Sequence, residues 1–377
     1  MWEHLCRIAR QLGEPDLRID EEITVSSEHI CIMSNRSSFE QLLDKYEPLI
    51  RDAFLAAIDE IKDQIVLKRL VERLERGDIA GAIDVLQIEA DAFGRLELAI
   101  GEAYNAGGID MAGSIVLRDP NGSRIAFRFG VRNPEAEAWL RDHSARLVTR
   151  IVDDQREAIR VALTEGLAQG NNPRTTALDI IGRTSRATNN RTGGLIGLTA
   201  PQERFVSAAR QELLSGEPDL LRHYLTRERR DKRFDAAIRN AIAEGRAIDK
   251  EMVNRIAGRY ADRLLALRGE MLSRTETMMA LGKSRDDAMR QAILSGKVDA
   301  AFVTKRWRSA GDNRVRHTHR ALNNDEVGFY QSFQSPSGAT LRFPGDPEAP
   351  ISETSGCRCG LEYRIDYTAQ FIARRAA

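Results

Sequence analysis

Two cysteines and two histidines near the end of the sequence have the residue types and the spacing of metal ligands. Cys357 and Cys359 lie two residues apart, and His317 and His319 share that spacing. Zinc takes four such ligands, so both thiols with both imidazoles, or both thiols with His319 and Asp312, would complete a site. Cys-x-x-Cys is the usual zinc pattern, and Cys-x-Cys is less typical. The alternative is two buried thiols that pack as small apolar groups, with His319 in a structural hydrogen bond.

The same residues also allow a catalytic hypothesis. Asp312, His319 and Cys357 could form a nucleophile constellation, so a zinc- or cysteine-dependent enzyme is the alternative function. The sequence contains no nucleophile elbow and no oxyanion-hole signature. Arg358 could lower the pKa of a neighbouring thiol, but such an arginine also fixes turns by donating to carbonyl groups. We therefore expect no catalytic activity and no catalytic residues.

Charged residues around the cysteines are typical of a small domain whose turns are held by ion pairs. The core of a small domain is too thin to fix the turns by apolar packing alone. Half-buried charged side chains can hold the turns instead by forming ion pairs. The charged residues expected to pair in this way are Asp312, Arg316, Asp346 and Arg358. The large aromatic residues Trp307, Phe343 and Tyr363 are then expected to form the core rather than a ligand-binding site.

The composition describes a chain that can bury a core and has no overall charge bias. Of the 377 residues, 42% are apolar, and 56 Lys and Arg balance 56 Asp and Glu. This balance argues against a protein that coats nucleic acid with its whole surface, although a local basic patch is compatible with it. Four cysteines do not indicate a disulfide framework. No run of about 18 apolar residues and no secretory signal is recognisable, so we expect a soluble protein made in the cytoplasm.

Helical periodicity dominates the chain before residue 297, and a short turn-rich stretch follows it. The sequence therefore predicts an α+β fold: a predominantly helical N-terminal body with a small α+β C-terminal module. Residues 1–130 are predicted to form a helical region with a short β-hairpin, in which residues 1–38 fit an arm or an edge strand. Residues 131–267 form a long-helix middle region with a Gly/Arg-rich loop, and residues 268–377 form the module.

Glycine and proline residues mark where the helices are expected to break. Ser38 is predicted to cap the first helix, and Pro48 to kink or divide it. A helix end is predicted at Gly107 and Gly108. Two helices are predicted between residues 249 and 296, with a loosened turn at Gly282.

The middle region carries two features that suit partner binding. Its densest basic run consists of Arg227, Arg229, Arg230, Lys232 and Arg233. Charge clusters on helices are usually solvated faces, and the alternative is a surface that contacts DNA phosphates or a partner protein. The Gly-rich stretch at residues 191–197 is expected to be a surface loop or a loop that orders on a partner.

An ordered series of unusual residues extends through the last third of the chain. In order, the motif residues are Arg274, Glu276, Trp307, Asp312, Arg316, His319, Pro344, Gly345, Asp346, Cys357, Arg358 and Cys359. Single pieces such as Pro-Gly-Asp-Pro are weak signals, and their order and gaps make the set specific. From Arg268 to Asp366 the chain resembles the C-terminal domain of phage minor head proteins, the Mu F-like head-morphogenesis family.

The resemblance implies a procapsid component present in few copies, assembled in the bacterial host cytoplasm and located in the virion head. Such proteins associate with the portal protein and with capsid or scaffold proteins, and some accompany DNA into the host. The resemblance implies no catalysis and no membrane in the assembled head. A DNA-binding protein that escorts the genome end is a third hypothesis.

Overall fold

The structure, a computed structural model, describes residues 37–118, 124–125, 127–129, 134–184 and 191–376. The arm or edge strand predicted for the N-terminal residues lies outside this range, apart from its last two residues. From Leu42 onward the described residues belong to one compact unit. Among them, no helix is both long and apolar enough to cross a membrane.

Four helices form the first part of the body. They are α1 (Ser38–Gln64), α2 (Leu67–Glu75), α3 (Ile79–Val85) and α4 (Gly94–Ser114), with a 3-10 turn at Ala90–Phe93. Ser37, rather than the predicted Ser38, caps α1. Its hydroxyl accepts a hydrogen bond from the Glu40 amide at 3.2 Å, and the Glu40 carboxylate accepts one from the Ser37 amide at 2.9 Å. This reciprocal pair is a capping box.

The division predicted at Pro48 does not occur, because α1 continues through this residue and the chain leaves the helix at Ile65 and Val66. An interior proline costs about 3 kcal/mol through its lost hydrogen bond and its ring. Ile50 and Phe54 lie on the buried face of α1, and each contributes about 1.5–3 kcal/mol on burial. Core packing of this face therefore offsets the penalty.

The helix end predicted at Gly107 and Gly108 is wrong, because α4 continues to Ser114. A Cβ on Gly107 would lie 2.4 Å from Ser284 Oγ, and a Cβ on Gly108 would lie 2.3 Å from a ring carbon of Phe129. These glycines therefore serve close packing between elements. Their φ angles are not among the positive ones that end helices.

Among its described residues, the middle of the chain contains five α-helices and two short hairpins. The first hairpin pairs β1 (Leu117–Arg118) with β2 (Arg124–Ile125) and confirms the predicted short β-hairpin. Its tip lies outside the described residues. Then follow α5 (Pro134–Ala168), α6 (Pro173–Ile181), β3 (Arg183–Thr184) with β4 (Arg191–Thr192), α7 (Ala200–Leu214), α8 (Pro218–Thr226) and α9 (Asp235–Glu244). A Thr199–Gln202 capping box starts α7.

The Gly-rich stretch is part of the interior, so the surface loop predicted at residues 191–197 is wrong for its second half. Leu195, Ile196 and Leu198 are buried. Gly193 has φ +73°, and a Cβ there would lie 2.7 Å from the Cα of Gly258. Only glycine adopts this conformation without strain while another backbone approaches so closely.

One helix, α10 (Lys250–Leu294), replaces the two helices predicted between residues 249 and 296. Its 45 residues give a length of about 68 Å. Gly282 does not loosen it: a Cβ at this position would lie 2.9 Å from Phe343 and 3.0 Å from the Pro344 carbonyl oxygen. The boundary predicted between residues 267 and 268 falls inside α10.

The C-terminal module is built on a three-stranded antiparallel sheet in the order β6 (Glu326–Gly328), β5 (Val303–Arg308), β9 (Gly360–Ile365). It also contains α11 (His317–Ala321), the pair β7 (Phe333–Gln334) and β8 (Thr340–Leu341), α12 (Ile351–Thr354) and α13 (Tyr367–Ala376). A helical body with this small module confirms the predicted fold class.

Register places the inward side chains of the central strand on the side of α10. Val303, Lys305 and Trp307 are buried on β5, and the residues between them are more exposed. Leu361 lies opposite Trp307, and Tyr363 lies opposite Lys305. Leu361, Tyr363 and Ile365 of β9 are half-buried and lie opposite these three residues of β5.

Candidate metal centre

His319, Cys357 and Cys359 converge at the edge of the sheet. His319 lies in the short helix α11, and the two cysteines lie in the extended segment just before β9. The Nδ1 atom of His319 is 3.5 Å from the Sγ atom of each cysteine. The three side chains are 1–3% exposed, and their ligand atoms all lie within 4.8 Å of one another.

A buried carboxylate lies on the other side of the imidazole. The Oε2 atom of Glu353 is 2.8 Å from His319 Nε2. Burial by itself would raise the pKa of Glu353, but hydrogen bonds from Ser337 and Thr318 and the nearby imidazole lower it. Ser335 also donates to this carboxylate, at 3.3 Å. Glu353 is therefore a fixed anion within ion-pair distance of Nε2, although the two groups do not have hydrogen-bond geometry.

The two thiols differ in their readiness to ionise. A hydrogen bond from the Cys357 thiol and the proximity of His319 lower the pKa of Cys359 to about 5, against the effect of burial. The same thiol pair and burial raise the pKa of Cys357. Cys359 therefore ionises more readily than Cys357, and thiolate is the form that binds metals.

Aromatic packing fixes the imidazole plane. The Trp307 ring is edge-on to the His319 ring, at a centroid distance of 5.0 Å, and also to the Phe333 ring, at 5.2 Å. A cavity of about 20 Å³ lies among His319, the two cysteines, Arg316 and Arg358. This volume holds a water molecule or a single ion and excludes an organic substrate.

The structure does not assemble either of the four-ligand sets considered from the sequence. His317 is exposed at the start of α11. Asp312 forms an ion pair with Arg358, with contacts of 2.6 and 2.7 Å. A period of two places both histidines on one side of a strand, but α11 is a helix, in which residues two apart point about 200° apart.

The arginines of this region hold turns. Arg316 donates to the carbonyl oxygens of Glu353 and Ser355, and Arg358 holds the turn at Asp312. In the Pro-Gly-Asp-Pro segment, Asp346 accepts from the amide and the guanidinium of Arg342, each at 2.9 Å.

The same segment requires a glycine at its tip. Gly345 has φ +76°, and a Cβ there would lie 3.1 Å from the backbone of Met278 in α10. The preceding Pro344 presents its carbonyl oxygen to Gly282 of the same helix. The turn is thus packed directly on α10.

Three consecutive residues of α10 connect three different parts of the molecule. Arg274 forms an ion pair with Glu47 of α1 at 2.5 Å. The hydroxyl of Thr275 accepts a hydrogen bond at 3.0 Å from the amide of Gly356, just before Cys357. Glu276 lies 2.6 Å from His143 of α5.

The sequence singled out Arg274, Glu276 and His319, but it did not indicate their partners. Glu47, His143 and Glu353 lie in ordinary helical sequence and carry no motif. What marks these three residues as partners is that their polar groups are buried or half-buried. This burial arises from the packing of the helices and cannot be read from the sequence.

Most of the basic run is neutralised within the body. Arg227 donates to both oxygens of Glu212, Arg230 pairs with Asp235, and Arg233 pairs with Asp231. The Arg233 hydrogen bond lowers the pKa of Asp231 to about 2, so this pair is fully charged at neutral pH. Within the part of the chain that the structure describes, Arg229 and Lys232 are exposed and have no ion-pair partner.

A scan against protein-family models, a search of curated proteins and a search of solved structures found no match to this chain. The resemblance to Mu F-like head-morphogenesis proteins therefore stays a prediction from the motif residues. The class that the fold itself defines is a helical body with a small antiparallel α+β module.

Proposed function

We propose that this chain is a minor head protein of a tailed phage or prophage, which binds the portal or the inner capsid during head assembly. The observation that carries the proposal is the triplet Arg274–Glu276. It joins the C-terminal module to two helices of the body through one ion pair and two hydrogen bonds. A module fixed in this way presents a constant surface to a partner, which a protein of a symmetric shell requires.

The contacts of the other motif residues also favour an assembly role. Asp312, Arg316, Asp346 and Arg358 hold turns of the module. The cavity beside Cys357 is too small for a substrate, so an enzyme that uses this cysteine is the weaker hypothesis.

A contact with phage DNA belongs to the same proposal. Arg229 and Lys232 are the cations of the basic run that are exposed and form no ion pair with the described residues, so they can meet phosphate groups. Two such cations supply a weak, sequence-independent contact. The DNA contact is therefore secondary to protein binding.

Co-expression with the portal protein of the same phage tests the proposal. We expect the chain to sediment with portal rings and with procapsids, in fewer copies than the major capsid protein. A portal protein from an unrelated phage is the matched control and should not retain the chain. If cells that produce heads yield portal rings and procapsids that both lack this chain, the proposal is wrong.

The triplet provides the variant for this experiment. An Arg274→Ala/Glu276→Ala double variant loses the ion pair with Glu47 and the hydrogen bond with His143, so portal association should weaken. Glu270→Ala, an exposed position on the same helix, should leave it unchanged.

A further inference from the structure

Two sulfur atoms approach one nitrogen atom in the C-terminal module. The Sγ atoms of Cys357 and Cys359 are each 3.5 Å from the Nδ1 atom of His319. A neutral imidazole nitrogen has one lone pair, which lies in the ring plane and accepts one hydrogen bond well. Thiol hydrogen bonds alone therefore do not explain why both sulfurs lie at the same distance.

A tetrahedral zinc ion accounts for this distance. Zinc–sulfur bonds of about 2.3 Å and a zinc–nitrogen bond of about 2.0–2.1 Å at a tetrahedral angle separate nitrogen from sulfur by about 3.6 Å. Both observed distances agree with this value within about 0.1 Å. The two nitrogen–sulfur distances thus match two edges of a zinc tetrahedron.

The other imidazole nitrogen supports the same assignment. Nε2 of His319 is 2.8 Å from the Glu353 carboxylate, which itself accepts from Thr318 at 3.1 Å and from Ser337 at 2.7 Å. A carboxylate at this distance favours the tautomer with its proton on Nε2, although the pair does not have the geometry of a hydrogen bond. This tautomer leaves the Nδ1 lone pair for the sulfurs, and histidines that ligate metals usually have a carboxylate or carbonyl beside the second nitrogen.

The charge of the donor atoms and the volume of the cavity both suit a single zinc ion. Two thiolates and one Zn²⁺ sum to zero, so the filled site would carry no net charge into the interior. Arg316 and Arg358, which line the cavity, are engaged with carbonyl oxygens and with Asp312. The volume of about 20 Å³ leaves room for one ion and for no organic ligand.

We propose that His319, Cys357 and Cys359 bind one zinc ion, with water as the fourth ligand. The ion joins helix α11 to the segment that leads into β9, so it stabilises the module. This inference concerns the module's own stability and holds whether or not the chain binds a portal.

Zinc content of the purified full-length chain is the first test. A Cys6→Ser/Cys31→Ser background leaves Cys357 and Cys359 as the remaining thiols. We expect about one zinc per chain after dialysis, and a zinc absorption-edge spectrum with two sulfur neighbours at about 2.3 Å and one or two lighter atoms at about 2.0–2.1 Å. These measurements need no variant at the site, so they stand even if such variants fail to fold.

Variants then assign the ligands. Cys359→Ser and His319→Ala should lose stoichiometric zinc, and Glu353→Gln should weaken zinc affinity about 10–100-fold. His317→Ala is the matched control, because its exposed imidazole should leave zinc content unchanged. A chelator should lower the Tm of the parent and of His317→Ala alike.

Three results would overturn the proposal. One is a folded parent chain that remains free of metal after incubation with equimolar Zn²⁺, which would leave a thiolate–imidazolium pair as the explanation of the geometry. Another is a bound zinc without sulfur neighbours. The third is a zinc content that falls in His317→Ala and persists in Cys359→Ser.

Discussion

The Nε2 atom of His143 lies 2.6 Å from the Oε2 atom of Glu276, and both side chains are at most 7% exposed. The two residues are 133 positions apart in the sequence and belong to α5 and α10. A short hydrogen bond between groups that water does not reach is worth more than the same bond at the surface. It fixes the relative position of the two longest helices.

Glu276→Ala should therefore destabilise the protein by about 2–3 kcal/mol, because His143 loses a charged hydrogen-bond partner in the interior. Chemical denaturation measures the change. Glu270→Ala, on the exposed side of the same helix, should stay within about 0.5 kcal/mol of the parent. A double-mutant cycle with His143→Ala should show coupling, and additive effects of the two changes would contradict the pairing.

Two glycines inside helices should respond to alanine in opposite directions. A Cβ on Gly101 of α4 would meet no atom within 4 Å, so Gly101→Ala should stabilise the protein by about 0.5–1 kcal/mol through helix propensity. A Cβ on Gly282 would press on Phe343 and Pro344, so Gly282→Ala should destabilise by about 1–3 kcal/mol. Thermal melting curves of the two variants measure both changes in stability. A stabilised Gly282→Ala variant would show that the turn at Phe343 and Pro344 moves away from α10 at no cost.

Lys305 should make stability depend on pH in the alkaline range. Burial lowers its pKa to about 8, although Asp286 opposes the shift. The unfolded chain, with a lysine pKa near 10.4, then holds more protons than the folded chain between about pH 8 and 10. Stability from this residue therefore rises with pH across that window, by up to about 1.4 kcal/mol per pH unit.

Comparison with Lys305→Met isolates this contribution. The free energy of unfolding of the parent should increase relative to the variant from pH 8 to pH 10, and the difference should be constant below pH 7. Lys250→Met, at an exposed site, should follow the parent at every pH. A parent and a Lys305→Met variant with parallel pH profiles would show that this ammonium group is solvated.

Binding to duplex DNA should depend weakly on salt. Three of the five cations in the basic run are paired with Glu212, Asp231 and Asp235, which leaves Arg229 and Lys232. Two phosphate contacts predict a slope of about −1.8 for log affinity against log salt concentration, and five would predict about −4.5. Fluorescence titrations at several salt concentrations measure the slope. A value near −4.5 would mean that the acidic partners release their arginines on binding.

Local sequence signals predicted much of the secondary structure. The amphipathic pattern of α5, the helix start at Thr199 and Pro201 and the apolar residues of β5 each act over a few residues, and the structure contains all three elements. Helix ends marked by glycine were predicted less well. Gly245 ends α9 with φ +60°, whereas Gly107 and Gly282 lie inside helices at points of close packing. A glycine has both uses, and only the neighbouring element decides between them.

For the candidate metal centre, the sequence by itself determined the donor atoms: two thiols two residues apart and a nearby imidazole. The tertiary structure decided the rest. It placed His317 in solvent, paired Asp312 with Arg358, and brought Glu353 to His319. The physical reason is that donor chemistry belongs to a side chain, whereas distance and burial arise only when α10, α11 and β9 pack together.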